Sequence, residues 1–354
     1  MDTTTTKKSA FDRYVTEKVR AYFKENNISQ KGDWRIYSKT IFFISLLIFS
    51  YYIAVFADVG KFFHGLGWLG VGISFCGLGM GSMHDASHNA YSKDNQVNKW
   101  VARILNLMGA EALMWYVKHV ILHHDEPNVD GVDDDIESGG LLRFSKEKPF
   151  RKYHKYQPIY AWFLYAMLTF LWMNVLDFRK YFLMRVGSYE ITGWTFKDHF
   201  QFWITKIWHW TMYIALPIYF TDWKIAISGY FIAMAVSGLV LSCVFQCAHV
   251  LKGLPILLQP YKKESRFRHQ LADTSDFKTY PVFEWFIGGL NYQVAHHLFP
   301  DICHIHYSKI VPIIKEAIFE WNSKTGEKII YHEQPSFLSA LKSHTAVLIE
   351  GSTA

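Results

Sequence analysis

Long uncharged stretches dominate the pattern of this chain. Residues 40–57, 65–83 and 225–248 run for 18, 19 and 24 positions without a charged side chain. An α-helix rises about 1.5 Å per residue, so each stretch can cross most or all of a ~30 Å hydrocarbon core. The pattern therefore predicts an integral membrane protein built from helices.

Short polar turns divide the apolar stretches into hairpins. The turn at residues 221–224 separates residues 204–220 from the third stretch, and residues 40–83 contain the other predicted hairpin. The segment before them is polar and rich in Lys and Arg, which the positive-inside tendency places in the cytosol. We predict a cytosolic arm at 1–39, a membrane domain at 40–325 with spans near 40–57, 65–83, 204–220 and 225–248, and a C-terminal tail at 326–354 that frays over its last ten or so residues.

Composition narrows the possible functions. Half of the residues are hydrophobic, and the net charge of +6 is modest. No nucleic-acid motif accompanies the basic residues, so we expect no nucleic-acid partner. The four cysteines show no CxxC spacing, which argues against a disulfide framework and fits a cytosol-facing site. The distinctive feature is the set of 17 histidines.

The first two histidine clusters have helical spacing. His84 and His88 are four positions apart directly after the second span, so both imidazoles lie on one helical face. In the second cluster His119 and His123 share a face, while His124 is turned about 100° away. A single helix could therefore offer ligands to two metals.

A third cluster adds Gln293, His296 and His297, and His249 ends the last predicted span. A lone intracellular histidine is usually a solvated or core residue. That interpretation fails here because seven rings recur in three tight spacings and His249 adds an eighth, and neutral imidazole is the commonest ligand of borderline metals. Eight imidazoles exceed the needs of one tetrahedral zinc, so two metals are the simpler hypothesis.

Metal ligands must converge on one side of the membrane, and this requirement constrains the topology. An additional uncharged run, residues 158–176, is long enough to span, but a fifth span would put the last histidine cluster opposite the first two. We therefore interpret it as interfacial or re-entrant, like residues 101–116; the alternative that it spans stays open. The predicted fold is all-α, with four spans in two hairpins, interfacial helices and a cytosolic helical cap that holds the metals.

An acidic stretch follows the second cluster. Residues 130–135 contain four aspartates but lack the twelve-residue ligand spacing and the closing glutamate of a calcium loop. Two interpretations remain. The stretch is either a solvated loop or a source of carboxylates that orient the ligand histidines.

The three clusters together resemble the histidine boxes HxxxH, HxxxHH and QxxHH of the membrane fatty acid desaturase family, over about Asp33 to Tyr307. The resemblance implies an O2-dependent oxidoreductase with two non-haem irons, acting on an acyl-CoA or acyl-lipid. It places the protein in a membrane, for a bacterium the inner membrane, with the boxes and both termini cytosolic. The implied iron ligands are His84, His88, His119, His123, His124, His249, His296 and His297.

Gln293, in place of the first histidine of box three, is similar to the front-end subclass, which adds a double bond between an existing one and the carboxyl end. Its amide could bind iron, act through water or orient a neighbour. Many front-end enzymes carry a fused cytochrome b5 domain, for which residues 1–39 are too short. The resemblance, which is to bacterial linoleoyl-CoA desaturases in particular, thus implies an external donor of the ferredoxin or cytochrome b5 type. Asp125-Glu126-Pro127 departs from the Thr-rich sequence expected after box two.

Two questions stay open. The rival functions are a lipid or carotenoid hydroxylase or ketolase on the same histidine plan, and a non-enzymatic metal-binding membrane protein, whose ligands should lie nearer the bilayer centre. The headgroup of an acyl substrate could rest on a cytosolic basic group that could equally bind anionic lipid or be solvated. This group comprises Lys252, Lys262, Lys263, Arg266 and Arg268.

Overall fold

The computed structural model describes residues 9–257, 259 and 265–353, and within them the chain is mostly helical. Four π-helical segments (Leu78–Met83, Tyr116–His123, Trp172–Leu176 and Thr211–Ala215) and two 3-10 segments (Lys152–Tyr156 and His304–His306) adjoin the α-helices of the described residues, and two strand pairs are short. The α-helices are α1 (Ala10–Glu25), α2 (Trp34–Val55), α3 (Lys61–Gly77), α4 (His84–Ser87), α5 (Asn95–Ala102), α6 (Ile104–Met108), α7 (Ala112–Trp115), α8 (Gln157–Leu171), α9 (Asp177–Leu183), α10 (Phe196–Trp210), α11 (Leu216–Phe220), α12 (Trp223–His249), α13 (Arg266–Asp273), α14 (Pro281–Phe286), α15 (Gln293–Leu298), α16 (Tyr307–Thr325) and α17 (Phe337–Gly351).

Four helices in the described part of the chain are long and apolar enough to cross a membrane. Aspartates begin two of them, because a side-chain oxygen can accept from a backbone N–H that has no partner inside the helix. Asp33 accepts from the N–H of Arg35 at 2.9 Å, and Asp222 accepts from that of Lys224 at 2.8 Å. The four helices are Trp34–Val55, Lys61–Ser87, Lys152–Leu183 and Trp223–His249.

This set matches the predicted number of spans but differs in one member. Residues 158–176, predicted to be interfacial, belong to a helix whose length and apolarity suffice for a span, whereas residues 204–220 are not in the set. The segment 196–220 contains Lys197, Asp198 and Lys206, and a π-helical turn at Thr211–Ala215 divides it. By length and apolarity alone, 158–176 qualifies as a span and 204–220 does not, and which of the two segments crosses the membrane stays a prediction.

Small residues let the longest helices pack closely. Helix α12 packs on both α3 and α8. A Cβ on Gly72 would lie 2.7 Å from the carbonyl oxygen of Ala233, and a Cβ on Gly238 would lie 2.7 Å from that of Tyr165. Helices in membranes often associate through such close backbone contacts.

A group of helices outside the long apolar ones, called the cap below, shares a separate hydrophobic core. This core joins α1 to α16, with Phe11 and Val15 of the first helix buried with Ile310 and Ile314 of the second. Helices α13 and α15 pack into the same cluster. The strand pairs are β1 (Arg185–Val186) with β2 (Tyr189–Glu190), antiparallel, and β3 (Asp276–Phe277) with β4 (Glu333–Gln334), parallel.

The predicted fraying of the C-terminus is wrong, because α17 is an ordered helix packed on α8 and α12. The ring of His344 lies between the hydroxyl of Tyr165, at 2.7 Å, and the carbonyl oxygen of Val250, at 2.8 Å. The buried positions of α17 recur at the spacing of one helical face. They are Ala340, His344, Val347, Leu348 and Gly351.

Candidate metal centre

Two π-helical segments position the first two boxes. Leu78–Met83 directly precedes His84, and Tyr116–His123 contains the first two histidines of box two. A π turn holds more residues than an α turn, so it rotates the side chains that follow it, and such turns are frequent at functional sites. Uniform α-helical spacing did not predict these segments.

The structure brings all eight predicted imidazoles together. They form one group of four ring nitrogens and two overlapping groups of three, within each of which the nitrogens lie no more than 4.8 Å apart. Box two is divided, since its first histidine joins box one and its second joins α12 and box three. The groups are His84, His88, His119 and His296; His123, His249 and His297; and His124, His296 and His297.

The spacing of the nitrogens fits metal binding. The Nε2 atoms of His84 and His119 are 3.0 Å apart. Two nitrogens that bind one ion at right angles, each at roughly 2.1 Å, are separated by about 3 Å. The first group therefore offers the spacing that neighbouring ligands of one ion require.

The second nitrogens of several rings have fixed partners. The Nδ1 of His123 lies 3.0 Å from a carboxylate oxygen of Asp133, and that of His119 lies 3.2 Å from one of Asp135. This supports the interpretation of the acidic stretch as a source of orienting carboxylates, because a partner on Nδ1 leaves Nε2 for a metal.

Two orienting side chains in the cap were not anticipated. The Nδ1–H of His297 donates to Oε1 of Gln270 at 2.6 Å, and the Nδ1 of His296 lies 3.1 Å from the hydroxyl of Tyr307. Both partners come from other helices, so no local spacing in the sequence signals them.

The ring nitrogens without a partner test whether these residues fit bound metal ions. Among the described residues, the buried Nε2 atom has no hydrogen-bond partner in His88, His123, His296 and His297. In His124 and His249 neither ring nitrogen has such a partner. Buried polar atoms are normally satisfied, so a cluster of such nitrogens needs a ligand. Two metal ions would satisfy them, and the residues present fit that group.

The pKa values favour neutral rings at most of these positions. Burial, and after it the neighbouring imidazoles, holds the pKa of His124, His296 and His297 well below its ordinary value. Burial also lowers the pKa of His123, but the carboxylates of Asp133 and Asp135 outweigh it and the pKa is raised. Neutral imidazole has the free lone pair that a metal requires.

Gln293 is buried and unpartnered in the way that several of the imidazoles are. It begins the helix that carries His296 and His297, its side chain is fully buried, and neither atom of its amide is hydrogen-bonded by a described residue. Its environment is therefore that of the unsatisfied imidazoles.

A second buried cluster supports box one without joining the centre. One carboxylate oxygen of Asp85 lies 2.9 Å from Nδ1 of His304 and accepts from the backbone N–H of His304 at 3.1 Å and from the thiol of Cys303 at 2.9 Å. Because Asp85 lies between the two histidines of box one, these bonds tie that box to the loop after box three.

An apolar cavity of about 880 Å³ reaches the centre. His84 and His119 contribute to its wall. Most of the remaining wall comes from aliphatic and aromatic side chains of α3, α8 and α12 and the segments between them. They include Phe75, Met80, Leu105, Leu168, Trp172 and Phe245.

The fold and site together define a class: a membrane protein with a buried polyhistidine centre at the wall of an apolar cavity. The fatty acid desaturase family profile matches residues 60–322. The chain belongs to that family, and it is an oxidoreductase that acts on fatty acids.

Individual relatives agree over nearly the whole chain. The sn-1 linoleoyl-lipid 6-desaturase of Arthrospira platensis is 30% identical over 96% of this chain and 91% of its own length. The enzyme of the same description from Synechocystis sp. is 29% identical over 96% and 94%. The acyl-lipid (8-3)-desaturase of Physcomitrium patens is 31% identical over 94% of this chain and 70% of its own.

Proposed function

We propose that this chain is an O2-dependent front-end desaturase that introduces a cis double bond into a lipid-linked acyl chain, with two non-haem irons and an external electron donor. The observation that carries the proposal is the division of eight imidazoles over groups that two ions would satisfy, at the wall of an apolar cavity. The proposed ligands are His84, His88, His119, His123, His124, His249, His296 and His297, with Gln293 beside them.

The chain's own residues position both reactants. Asp133, Asp135 and Gln270 hold ligand rings by their Nδ1 atoms, so that Nε2 faces the centre. The cavity holds an apolar chain against His84 and His119 and excludes bulk water from the reacting carbons. When bound, the irons would supply the oxidising power that an unactivated methylene requires. Overall, O2 accepts two electrons from the acyl chain and two from the donor, and leaves as two molecules of water.

Gln293 and the relatives support a front-end regiochemistry. Enzymes described as linoleoyl-lipid 6-desaturases place a bond between an existing one and the carboxyl end, which is the front-end pattern. We therefore infer a Δ6-like or Δ5-like reaction on a lipid-linked substrate. A bacterial inner membrane, with both termini and the boxes cytosolic, gives the centre access to a soluble donor.

Product analysis tests the proposal. The chain is expressed in a bacterium that makes no polyunsaturated lipid, linoleic acid is supplied, and lipids are analysed by gas chromatography and mass spectrometry. We expect a new cis bond on the carboxyl side of the existing ones. A hydroxylated product, or a new bond on the methyl side, would contradict it. Production by a His297→Ala variant at the wild-type rate would contradict the ligand assignment.

A further inference from the structure

Charged residues from two neighbouring segments line one part of the otherwise apolar cavity. Lys180 pairs with Asp134 at 2.5 Å, and Gly187 packs against Val132, which joins the segment after α9 to the acidic stretch. An acyl chain bound in the apolar part of the cavity would have these charged side chains beside one of its ends. The charged residues are Lys118, Asp134, Asp135, Glu137, Arg179, Lys180 and Arg185.

Most of these charges are already satisfied. Lys118 pairs with Asp135 at 2.9 Å, Lys180 pairs with Asp134, and the carboxylate of Glu137 accepts from the N–H of Gly139 at 2.6 Å.

Two guanidinium groups remain. Arg179 makes no ion pair within the described residues. Arg185 donates through Nε to the carbonyl oxygen of Gly187 at 2.7 Å, which leaves its terminal nitrogens for another partner.

We propose that Arg179 and Arg185 anchor a phosphate ester at the head of the acyl substrate. This inference rests on the proposed function, because it concerns the carrier to which the acyl chain is linked. A guanidinium presents several donors in a planar fork that matches phosphate oxygens. The phosphate could belong to a phospholipid or to coenzyme A, which share this chemistry.

The basic group predicted from the sequence has other contacts. Lys252 pairs with Glu350 at 3.3 Å, and three hydrogen bonds join Arg268 to Glu327. Arg266 donates to the carbonyl oxygen of His297 at 2.8 Å, so it supports box three. None of these three lines the described wall of the cavity. Lys262 and Lys263 lie outside the described residues.

The test compares carriers of one acyl chain. Linoleoyl groups are offered as phosphatidylglycerol, as the CoA thioester and as an uncharged galactolipid. For Arg179→Gln and Arg185→Gln we expect KM to rise about tenfold with a phosphate-bearing carrier, since losing one charged hydrogen bond costs roughly that factor. We expect kcat to change less than twofold, and KM for the galactolipid to stay constant. A rise with phosphatidylglycerol alone assigns the phosphate to a lipid, and a rise with CoA alone assigns it to coenzyme A.

Lys252→Gln is the matched control, because it removes one positive charge away from the cavity. An equal rise of KM in this control, an equal rise with the galactolipid, or no rise with either phosphate carrier would overturn the proposal.

A binding measurement separates this proposal from the proposed function. Native mass spectrometry of the full chain as purified, without an electron donor, records retention of an ether-linked phosphatidylglycerol and of a non-hydrolysable acyl-CoA analogue. Loss of retention in the arginine variants supports the anchor even when the wild type forms no double bond, whereas unchanged retention of both ligands contradicts it.

Discussion

Replacing Asp133 by Asn should weaken one metal position and leave the fold intact. The Asp133 side chain is 1% exposed; one of its oxygens lies 3.0 Å from Nδ1 of His123 and also accepts from the N–H of Asn128 at 2.9 Å. Asn has the same size, and its amide oxygen can still accept from Asn128. What is lost is the negative charge that orients His123, together with the hydrogen bond that the other oxygen of Asp133 accepts from the backbone N–H of Asp135 at 2.9 Å.

The expected loss is about 10-fold to 100-fold in metal affinity, typical of removing a partner of a ligand histidine. It corresponds to roughly 1.4 to 2.7 kcal/mol. Because His123 groups with His249 and His297, the loss should affect one ion, and the stoichiometry should fall from two towards one as a chelator is added.

The assay measures iron content by inductively coupled plasma mass spectrometry after dialysis against increasing concentrations of a chelator. The pH is alkaline, so that protons compete less with the metal for the imidazole nitrogens. Asp134→Asn is the control, since Asp134 pairs with Lys180 and touches no ligand ring. Equal iron retention by Asp133→Asn and wild type would refute the reasoning. So would an equal loss in the control, or a fall in the unfolding temperature of metal-free Asp133→Asn large enough to explain the loss.

Four further changes have defined outcomes. Lys206→Met should lower the free energy of unfolding, measured with denaturant, by about 3–5 kcal/mol, because it leaves the buried charge of Asp177, 2.6 Å away, without its partner. The double variant with Asp177→Asn should recover most of this loss. Gly238→Val should lower the unfolding temperature, because its Cβ meets backbone carbonyls at 2.7 Å. His249→Ala should halve the iron content measured after dialysis. Gln293→Ala should retain both irons in the same measurement, because eight imidazoles remain to hold them; loss of one iron would mean that the amide binds.

The sequence predicted which imidazoles come together because their signals are local. Each box is a short helical spacing, and His249 was found because it ends a long uncharged stretch. The orienting carboxylates could only be left as one of two interpretations, since a solvated loop has the same composition. Gln270 and Tyr307 were missed because their contacts with box three depend on how separate helices of the cap pack, and no spacing records that.

The direction in which the long helices run restricts the membrane topology more than their hydropathy does. Trp68 lies against Gly229, and the sulfur of Cys76 lies 3.9 Å from the carbonyl oxygen of Ser237, so α3 and α12 run parallel. Parallel spans require an odd number of crossings between them. Only one of the segments Lys152–Leu183 and 196–220 can therefore cross completely.

The contacts at the ends of these two segments favour 196–220 as the one that crosses the membrane. Its residue Phe202 is buried with Leu122 of box two, while the ring of Phe220 lies 4.9 Å from that of Phe56, at the end of α2 away from the histidines. The helix Lys152–Leu183 instead brings Lys180 back to Asp134, beside the carboxylates that contact the centre. We therefore expect 196–220 to cross, and the two predicted hairpins to hold.

Cysteine labelling distinguishes the two possible crossing segments. Ser188 is exposed between β1 and β2, next to Gly187, which packs on the acidic stretch. Ser188→Cys should be closed to an impermeant maleimide in intact cells and open to it in inverted vesicles, because the proposed topology puts the histidine side in the cytosol. Asp58→Cys, in the turn between α2 and α3, should behave oppositely. Labelling of both variants from outside would mean that Lys152–Leu183 is the crossing helix, and the parallel order of α3 and α12 would then require residues 196–220 to remain on the outer side.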